Sequence, residues 1–186
     1  MKFLFIIGGS GSGKTTLAKM LSDNLPEKYK FIKGTTTRAR RENETDDDYE
    51  FISEEEYLAL LEEKEFIGQS CFVMAPNKYG YRKSLLDENK TNILILSIEG
   101  FLNAVHDRTL NDNMNLCYID SNEPFVERPD RNFSMEDKFN KGVLSAFVRE
   151  PDTNRQALYI NSRVIHLGVI TKEQIHEYYE QLSSDE

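Results

Sequence analysis

Near its start the chain runs Phe3-Leu4-Phe5-Ile6-Ile7 and then, without a break, Gly8-Gly9-Ser10-Gly11-Ser12-Gly13-Lys14-Thr15-Thr16. A continuous apolar run of β-forming residues, closed by glycine, predicts a strand buried on both faces, the kind that parallel sheets use. The residues after it fill every fixed position of G-x-x-x-x-G-K-[ST]. Glycines there let the backbone wrap tightly enough for several N–H groups to converge on one phosphate. Downstream, Leu17, Ala18, Met20, Leu21 and Leu25 recur at helical spacing, and Pro26 supplies a stop. A helix starting near Lys14 brings its positive dipole end to the same place. Strand, loop and helix together predict a nucleotide phosphate site. Gly8, Ser10, Gly11, Ser12 and Gly13 form the cradle, Lys14 reaches the β- and γ-phosphates, and the Thr15 hydroxyl ligates Mg²⁺. Thr16 is assigned to the neighbouring α-phosphate region. The loop implies an ATP-like donor with Mg²⁺, and by itself it selects no reaction.

The bulk numbers bound what surrounds this site. A chain of 186 residues suits one domain with its own hydrophobic core. The net charge of −9, from 32 acidic and 23 basic residues, counts against nucleic acid as the principal partner. Cys71 and Cys117 form no CxxC pair, which fits a reducing compartment and offers no zinc ligand set. The apolar run from Phe3 to Ile7 is too short for a secretory signal, and no stretch approaches a membrane span, so a cytoplasmic location is expected.

Beyond the first helix, Tyr29 to Lys33 predicts a short strand, and Thr35 to Asp48 reads as a polar segment. Tyr49 to Ile52 predicts a strand, and Ser53 with Glu56 has capping-box spacing for a helix from Glu54 to about Lys64. Phe66 and Ile67, then Cys71 to Met74, predict short strands before a turn at Ala75 to Lys78. Ile93 to Ile98 and Asn115 to Ile119 predict further buried strands. Ser121 to Asn140 is polar and interrupted by Pro124 and Pro129, and Gly142 to Arg149 has helical character. Tyr159-Ile160 or, better, Arg163 to Leu167 predicts the last strand, and Thr171 is read as capping a final helix that ends near Leu182. Strands alternating with helices predict an α/β fold on a parallel sheet.

A second chemical cluster is Thr35-Thr36-Thr37-Arg38-Ala39-Arg40-Arg41-Glu42-Asn43-Glu44. Arg binds a phosphate monoester through a planar fork, and hydroxyls can fill the remaining oxygens. A solvated basic loop balanced by the acids from Glu44 to Asp48 would have the same composition, and charge alone favours that reading.

From Gly8 to Gly100 the chain resembles the guanylate kinases. It carries in order the glycine loop, the Thr36-Thr37-Arg38-Ala39-Arg40-Arg41-Glu42-Asn43-Glu44 string, Asp48-Tyr49-Glu50-Phe51-Ile52-Ser53, Glu65-Phe66-Ile67 and Tyr79-Gly80. The resemblance implies a P-loop NTPase three-layer sandwich with a parallel sheet, a small α+β nucleotide-binding insertion and a lid. Residues 1–186 would then be one domain, with the core at 1–32, 91–120 and 150–186, the acceptor-binding insertion at 33–90 and the lid at 121–149. It implies ATP-dependent phosphorylation of a nucleoside monophosphate, GMP or dGMP first, with Arg38, Arg41, Tyr49 and Tyr79 on the acceptor phosphate and Glu44 orienting the arginines. Thr35 joins that acceptor set. Arg128 and Arg131 would be the catalytic lid arginines beside Arg38, Arg41 and Lys14, with Lys141 or Arg149 as a second pair. Small nucleotides would be the partners, of a monomer or homodimer.

Three positions depart from the family. Gly68, followed by Gln69, stands where the family places a Glu against the guanine edge; Tyr81 replaces a base-contacting Ser or Thr; and Ser97-Ile98-Glu99 stands for Asp-x-Asp. Gln69, Tyr81 and Glu99 remain acceptor-site candidates. On these residues the acceptor stays open among GMP, dGMP, a modified nucleotide and a ribose phosphate. A non-catalytic binding module is a further alternative, which the intact loop opposes.

Overall fold

The computed structural model describes residues 1–8, 12–42, 44–67, 72–74, 77–97, 100, 114–120, 164–171 and 174–184. The helix expected at 142–149 and the excursion at 121–140 lie outside them.

The apolar run becomes β1 (Lys2–Gly8), and the helix after the loop is α1 (Lys14–Asn24). β2 (Tyr29–Phe31), β3 (Gly34–Thr36) and β4 (Tyr49–Phe51) precede α2 (Glu54–Glu62). Then come β5 (Phe72–Met74), β6 (Asn77–Gly80), a 3₁₀ turn at Lys83–Leu85, β7 (Thr91–Ile95), β8 (Met114–Asp120), β9 (Val164–Thr171) and α3 (Ile175–Ser184). Five strands form one sheet in the order β2-β7-β1-β8-β9, and every pairing in it is parallel. β1 lies at its centre, with Leu4 beside Ile93 on one side and Asn115 on the other. Phe3 through Ile7 are all buried, as a strand covered on both faces requires. On one face Leu4 and Ile6 pack with Leu17, Ala18 and Leu21 of α1, Ile93, Cys117, Ile119 and Ile175 of α3. Burial pushes the Cys117 thiol up to about 12, so it acts as a small apolar side chain and not as a nucleophile. None of the described helices is long and apolar enough to cross a membrane.

A second sheet has the order β4-β3-β6-β5, with β3 parallel to β4 and antiparallel to β6. β3 and β6 are additions to the expected elements, and β6 begins at Asn77, inside the expected turn. The capping box at Ser53 is present in full: its hydroxyl accepts from Glu56 N–H, and the Glu56 carboxylate accepts from Ser53 N–H. Behind the sheet the buried Tyr57 ring stacks on Phe66 at 4.6 Å, and its hydroxyl donates to the Tyr79 carbonyl at 2.8 Å. Thr171 does not cap a helix. It ends β9 in register with Asp120, and α3 starts only at Ile175.

Gly80 is the tight point of this packing, because a Cβ there would lie 2.5 Å from Phe66 Cδ1. Phe66 is itself buried and stacked on Tyr57. Gly80→Ala is therefore expected to lower stability by about 1–3 kcal/mol, read as an earlier urea midpoint at unchanged slope. An unchanged midpoint would mean that the Phe66 ring is not fixed.

Candidate active site

The expected donor end lies where β1 meets α1. Gly8 has φ +154°, and a Cβ on it would lie 2.5 Å from the Ile119 carbonyl oxygen of the neighbouring strand. Gly13, the N-cap of α1, is left-handed at φ +96°, and its Cβ would lie 2.2 Å from Ile175 Cδ1. The cap carries no side-chain hydrogen bond and the first turn no acid. The first-turn N–H groups thus present donors and the positive dipole end to an incoming anion. The Ser12 hydroxyl is buried and has no hydrogen-bond partner among the described residues. A buried orphan hydroxyl beside open helix amides is suited to a phosphate oxygen. Lys14 Nζ donates to the Gly8 carbonyl at 2.8 Å, so its ammonium lies over the loop. Thr15 and Thr16 are exposed at the start of the helix. Among the described residues no group of three His, Cys, Asp or Glu could cage a metal. The exposed Thr15 hydroxyl offers an oxygen of the kind that suits a Mg²⁺ carried on a nucleotide. Ser10 and Gly11 lie outside the described residues.

The cluster expected at the acceptor end is centred on Glu44. Arg38 donates through Nη1 and Nη2 to its two oxygens at 2.9 and 2.8 Å, a bidentate pair. Arg41 donates its backbone N–H to Oε2 at 3.0 Å, and its Nη1 lies 3.5 Å from Oε1. The Arg38 guanidinium also sits 5.5 Å from the Tyr49 ring centre and 5.6 Å from that of Phe51. Tyr49 meets Tyr79 edge-on at 6.3 Å. Arg38, Arg41, Glu44, Tyr49 and Tyr79, chosen from separate stretches of sequence, are thus brought together. Burial alone would raise the Glu44 carboxyl, but Arg38 and the Arg41 N–H outweigh it and hold it below the usual carboxylate range. Burial pushes the Tyr49 phenol up, so it stays neutral and able to donate.

The hydroxyls of the three threonines are engaged within the second sheet. Thr35 is fully buried and donates to Glu50 Oε2 at 2.8 Å. Thr36 donates to the Lys78 carbonyl at 2.9 Å while accepting from Arg38 N–H, and Thr37 accepts from Lys78 N–H at 3.0 Å. Thr35 thus ties β3 to β4, while Thr36 and Thr37 tie the end of β3 to Lys78 of β6 and set the direction in which the chain enters the arginine loop. Tyr81 is held by both its hydroxyl and its ring. Its hydroxyl donates to the Ile95 carbonyl, and its ring lies against Gly34, where a Cβ would be 3.6 Å from Tyr81 Cζ. Arg40 turns outward to Asp46. Ser97 Oγ accepts from Gly100 N–H at 3.0 Å. Gly68, Gln69, Glu99, Arg128, Arg131, Lys141 and Arg149 lie outside the described residues.

Two groups of partners had no local signal in the sequence. Glu50 accepts from Arg82 Nη1 at 2.9 Å as well as from Thr35, and Arg82 Nε lies 3.6 Å from Glu65, so one arginine joins β4 to the segment after β6. Lys19 of α1 pairs with Asp48 across 29 positions of sequence.

The Glu44 carboxyl makes the cluster acid-sensitive. Its folded pKa is depressed, so its contribution is complete above its unfolded value of about 4.3 and is lost as pH falls through the folded one. Glu44→Gln is expected to lower stability by about 1–2 kcal/mol at pH 7, with the gap from the unsubstituted protein closing below about pH 4. Urea unfolding from pH 7 to pH 3 checks this. A gap constant with pH would deny the carboxylate its charge-dependent role.

With this geometry in view, the comparisons with known proteins become informative. The guanylate kinase family model matches residues 1–141. The chain is 39% identical over 109 residues to the guanylate kinase of Mycoplasma mobile, an alignment covering 56% of this chain and 53% of that one. It is 35% identical over 107 residues to that of Schizosaccharomyces pombe, covering 55% and 52%. The matches thus span about half the length of these curated relatives. A crystal structure of guanylate kinase from Anaplasma phagocytophilum shares the fold, with a TM-score of 0.58 at 20% identity over 98% of this chain and 82% of that one. A match across residues 1–141, over a parallel sheet that leads into the glycine loop, shows that the chain belongs to the guanylate kinase family.

Proposed function

We propose that this chain transfers the γ-phosphoryl group of ATP to a guanosine monophosphate, GMP or dGMP, giving ADP and the diphosphate. Two phosphate sites in one chain carry this reading: open helix amides with Lys14 and Thr15 at one, and the Arg38–Arg41–Glu44 cluster walled by Tyr49 and Tyr79 at the other. The named relatives are guanylate kinases, which supports the choice of acceptor.

Phosphoryl transfer asks a protein mainly to align two substrates and offset charge on the moving group. The loop amides and Lys14 would hold the donor phosphates, with the buried Ser12 hydroxyl as a further donor and Thr16 near the α-phosphate. Bound at Thr15, Mg²⁺ would supply positive charge at the β- and γ-oxygens. Arg38 is committed to Glu44 and to two rings, so it serves as a rigid anchor. Arg41 is the more exposed of the pair, with side-chain exposure of 36% against 11%, and reaches outward to the acceptor phosphate. Tyr49 and Tyr79 would complete that grip with their hydroxyls. We assign residues 33–90 to acceptor binding and the arginines Arg128 and Arg131 of 121–149 to a lid that closes last and excludes water. Gln69 and Glu99 complete the base side of the acceptor site in this proposal. Free nucleotides in the cytoplasm are the partners, and the chain acts as a monomer or homodimer.

ADP release from ATP–Mg²⁺ is expected to be stimulated by GMP or dGMP and not by the other nucleoside monophosphates or by ribose phosphates. Equal stimulation by all of them, or by none, would overturn the acceptor assignment. Lys14→Ala is expected to lower kcat by about 10²-fold or more, and its retention of full activity would exclude the loop mechanism. Arg41→Ala is expected to raise KM for GMP about tenfold or more while KM for ATP changes less than about twofold. A rise in the ATP term alone would move Arg41 to the donor site.

A further inference from the structure

Lys19 stands on α1 one turn beyond the phosphate loop, and Asp48 immediately precedes Tyr49 of the acceptor cluster. Asp48 uses its two oxygens in different directions. Oδ1 accepts from Lys19 Nζ at 3.1 Å, while Oδ2 accepts from Thr45 N–H at 2.9 Å and from the Thr45 hydroxyl at 3.3 Å. Asp48 N–H in turn donates to the Thr45 carbonyl at 3.1 Å, closing the turn. Thr45 follows Glu44, the carboxylate that holds Arg38 and Arg41. An unbroken line of contacts therefore leads from the helix that begins at the donor loop, through Lys19, Asp48, Thr45 and Glu44, to the acceptor arginines. A second bond, from the Tyr81 hydroxyl to the Ile95 carbonyl, crosses between the two sheets at another point.

We propose that Lys19 and Asp48 are positioning residues that set the separation of the donor and acceptor sites; this rests on the two-site kinase reading above. Neither side chain needs to touch a substrate. Lys19 is 41% exposed, so the pair adds little to global stability. In-line transfer, however, is sensitive to displacement: about 1 Å of misplacement can lower a rate about 10²-fold. Lost alignment with both grips intact lowers kcat and leaves binding unchanged.

The test uses Lys19→Met, which keeps the aliphatic stem, and Asp48→Asn, which keeps an oxygen for the Thr45 N–H. Each single variant and the double variant are expected to lower kcat for GMP phosphorylation by about 3- to 30-fold, with KM for GMP and for ATP within about twofold. The double variant is expected to be no worse than either single one, because both remove the same contact, and Lys19→Arg is expected to restore the rate. Unchanged kcat, a rise in KM alone, or additive losses would each overturn the proposal. A second readout needs no turnover. Spin labels at D23C on α1 and E55C on α2, in a Cys71→Ser background, are expected to give a narrow distance distribution that broadens or shifts with Asp48→Asn. If the unsubstituted chain shows no GMP-dependent ADP release, the kinase reading fails, while the distance distribution still judges the pair. A distribution that Asp48→Asn leaves unchanged would refute positioning whatever the activity.

Discussion

Gly8 and Gly13 leave little room for a side chain, and the surroundings of the loop are arranged around them. At Gly8 the Ile119 carbonyl oxygen lies 2.5 Å from where a Cβ would stand, and at Gly13 the Ile175 Cδ1 lies 2.2 Å from it. The first contact fixes the exit of β1 against β8; the second fixes the start of α1 against α3. Gly13 caps α1 from a left-handed conformation and gives the first turn no side-chain hydrogen bond. The packing that closes the core against β1 and α1 thus also shapes the helix N-terminus to which the donor phosphates are assigned.

The acceptor end obeys a different constraint, the pairing of charge. Two arginines held close together repel each other and need an anion between them. Glu44 provides it with both oxygens, and the aromatic rings of Tyr49 and Phe51 keep Arg38 in place. A guanidinium already oriented gives up little freedom when it takes up a phosphate. Sheet β4-β3-β6-β5 supports this by way of the Thr36, Thr37 and Lys78 hydrogen bonds, and the Lys19–Asp48 pair carries the arrangement back to α1.

Legibility in the sequence followed the range of the interactions. β1, α1 and the capping box of α2 were readable because apolar runs, helical spacing and the Ser53–Glu56 interval are local signals. Gly34–Thr36 and Asn77–Gly80 were not, since three or four residues with little apolar content become strands only through pairing with distant partners. The threonines of that strand resembled phosphate ligands by composition, yet their hydroxyls are used inside the sheet. Thr171 had the chemistry of a cap, but pairing with Asp120 takes it into β9. Arg38, Arg41, Glu44, Tyr49 and Tyr79 were legible only through the resemblance of several motifs in order, since basic composition alone suggested a solvated loop. Tyr81 stood out in the sequence by its position alone, and its bond to the Ile95 carbonyl is a contact that sequence spacing does not encode.

The central claim is that donor and acceptor occupy separate sites, each built from its own residues. Isothermal titration of ATP–Mg²⁺ and of GMP, singly, into the unsubstituted protein, Lys14→Ala and Arg38→Ala tests it most directly. The account predicts that Lys14→Ala loses ATP affinity and keeps GMP affinity, and that Arg38→Ala does the reverse. Loss of both ligands in one variant, or loss of ATP alone in Arg38→Ala, would contradict it.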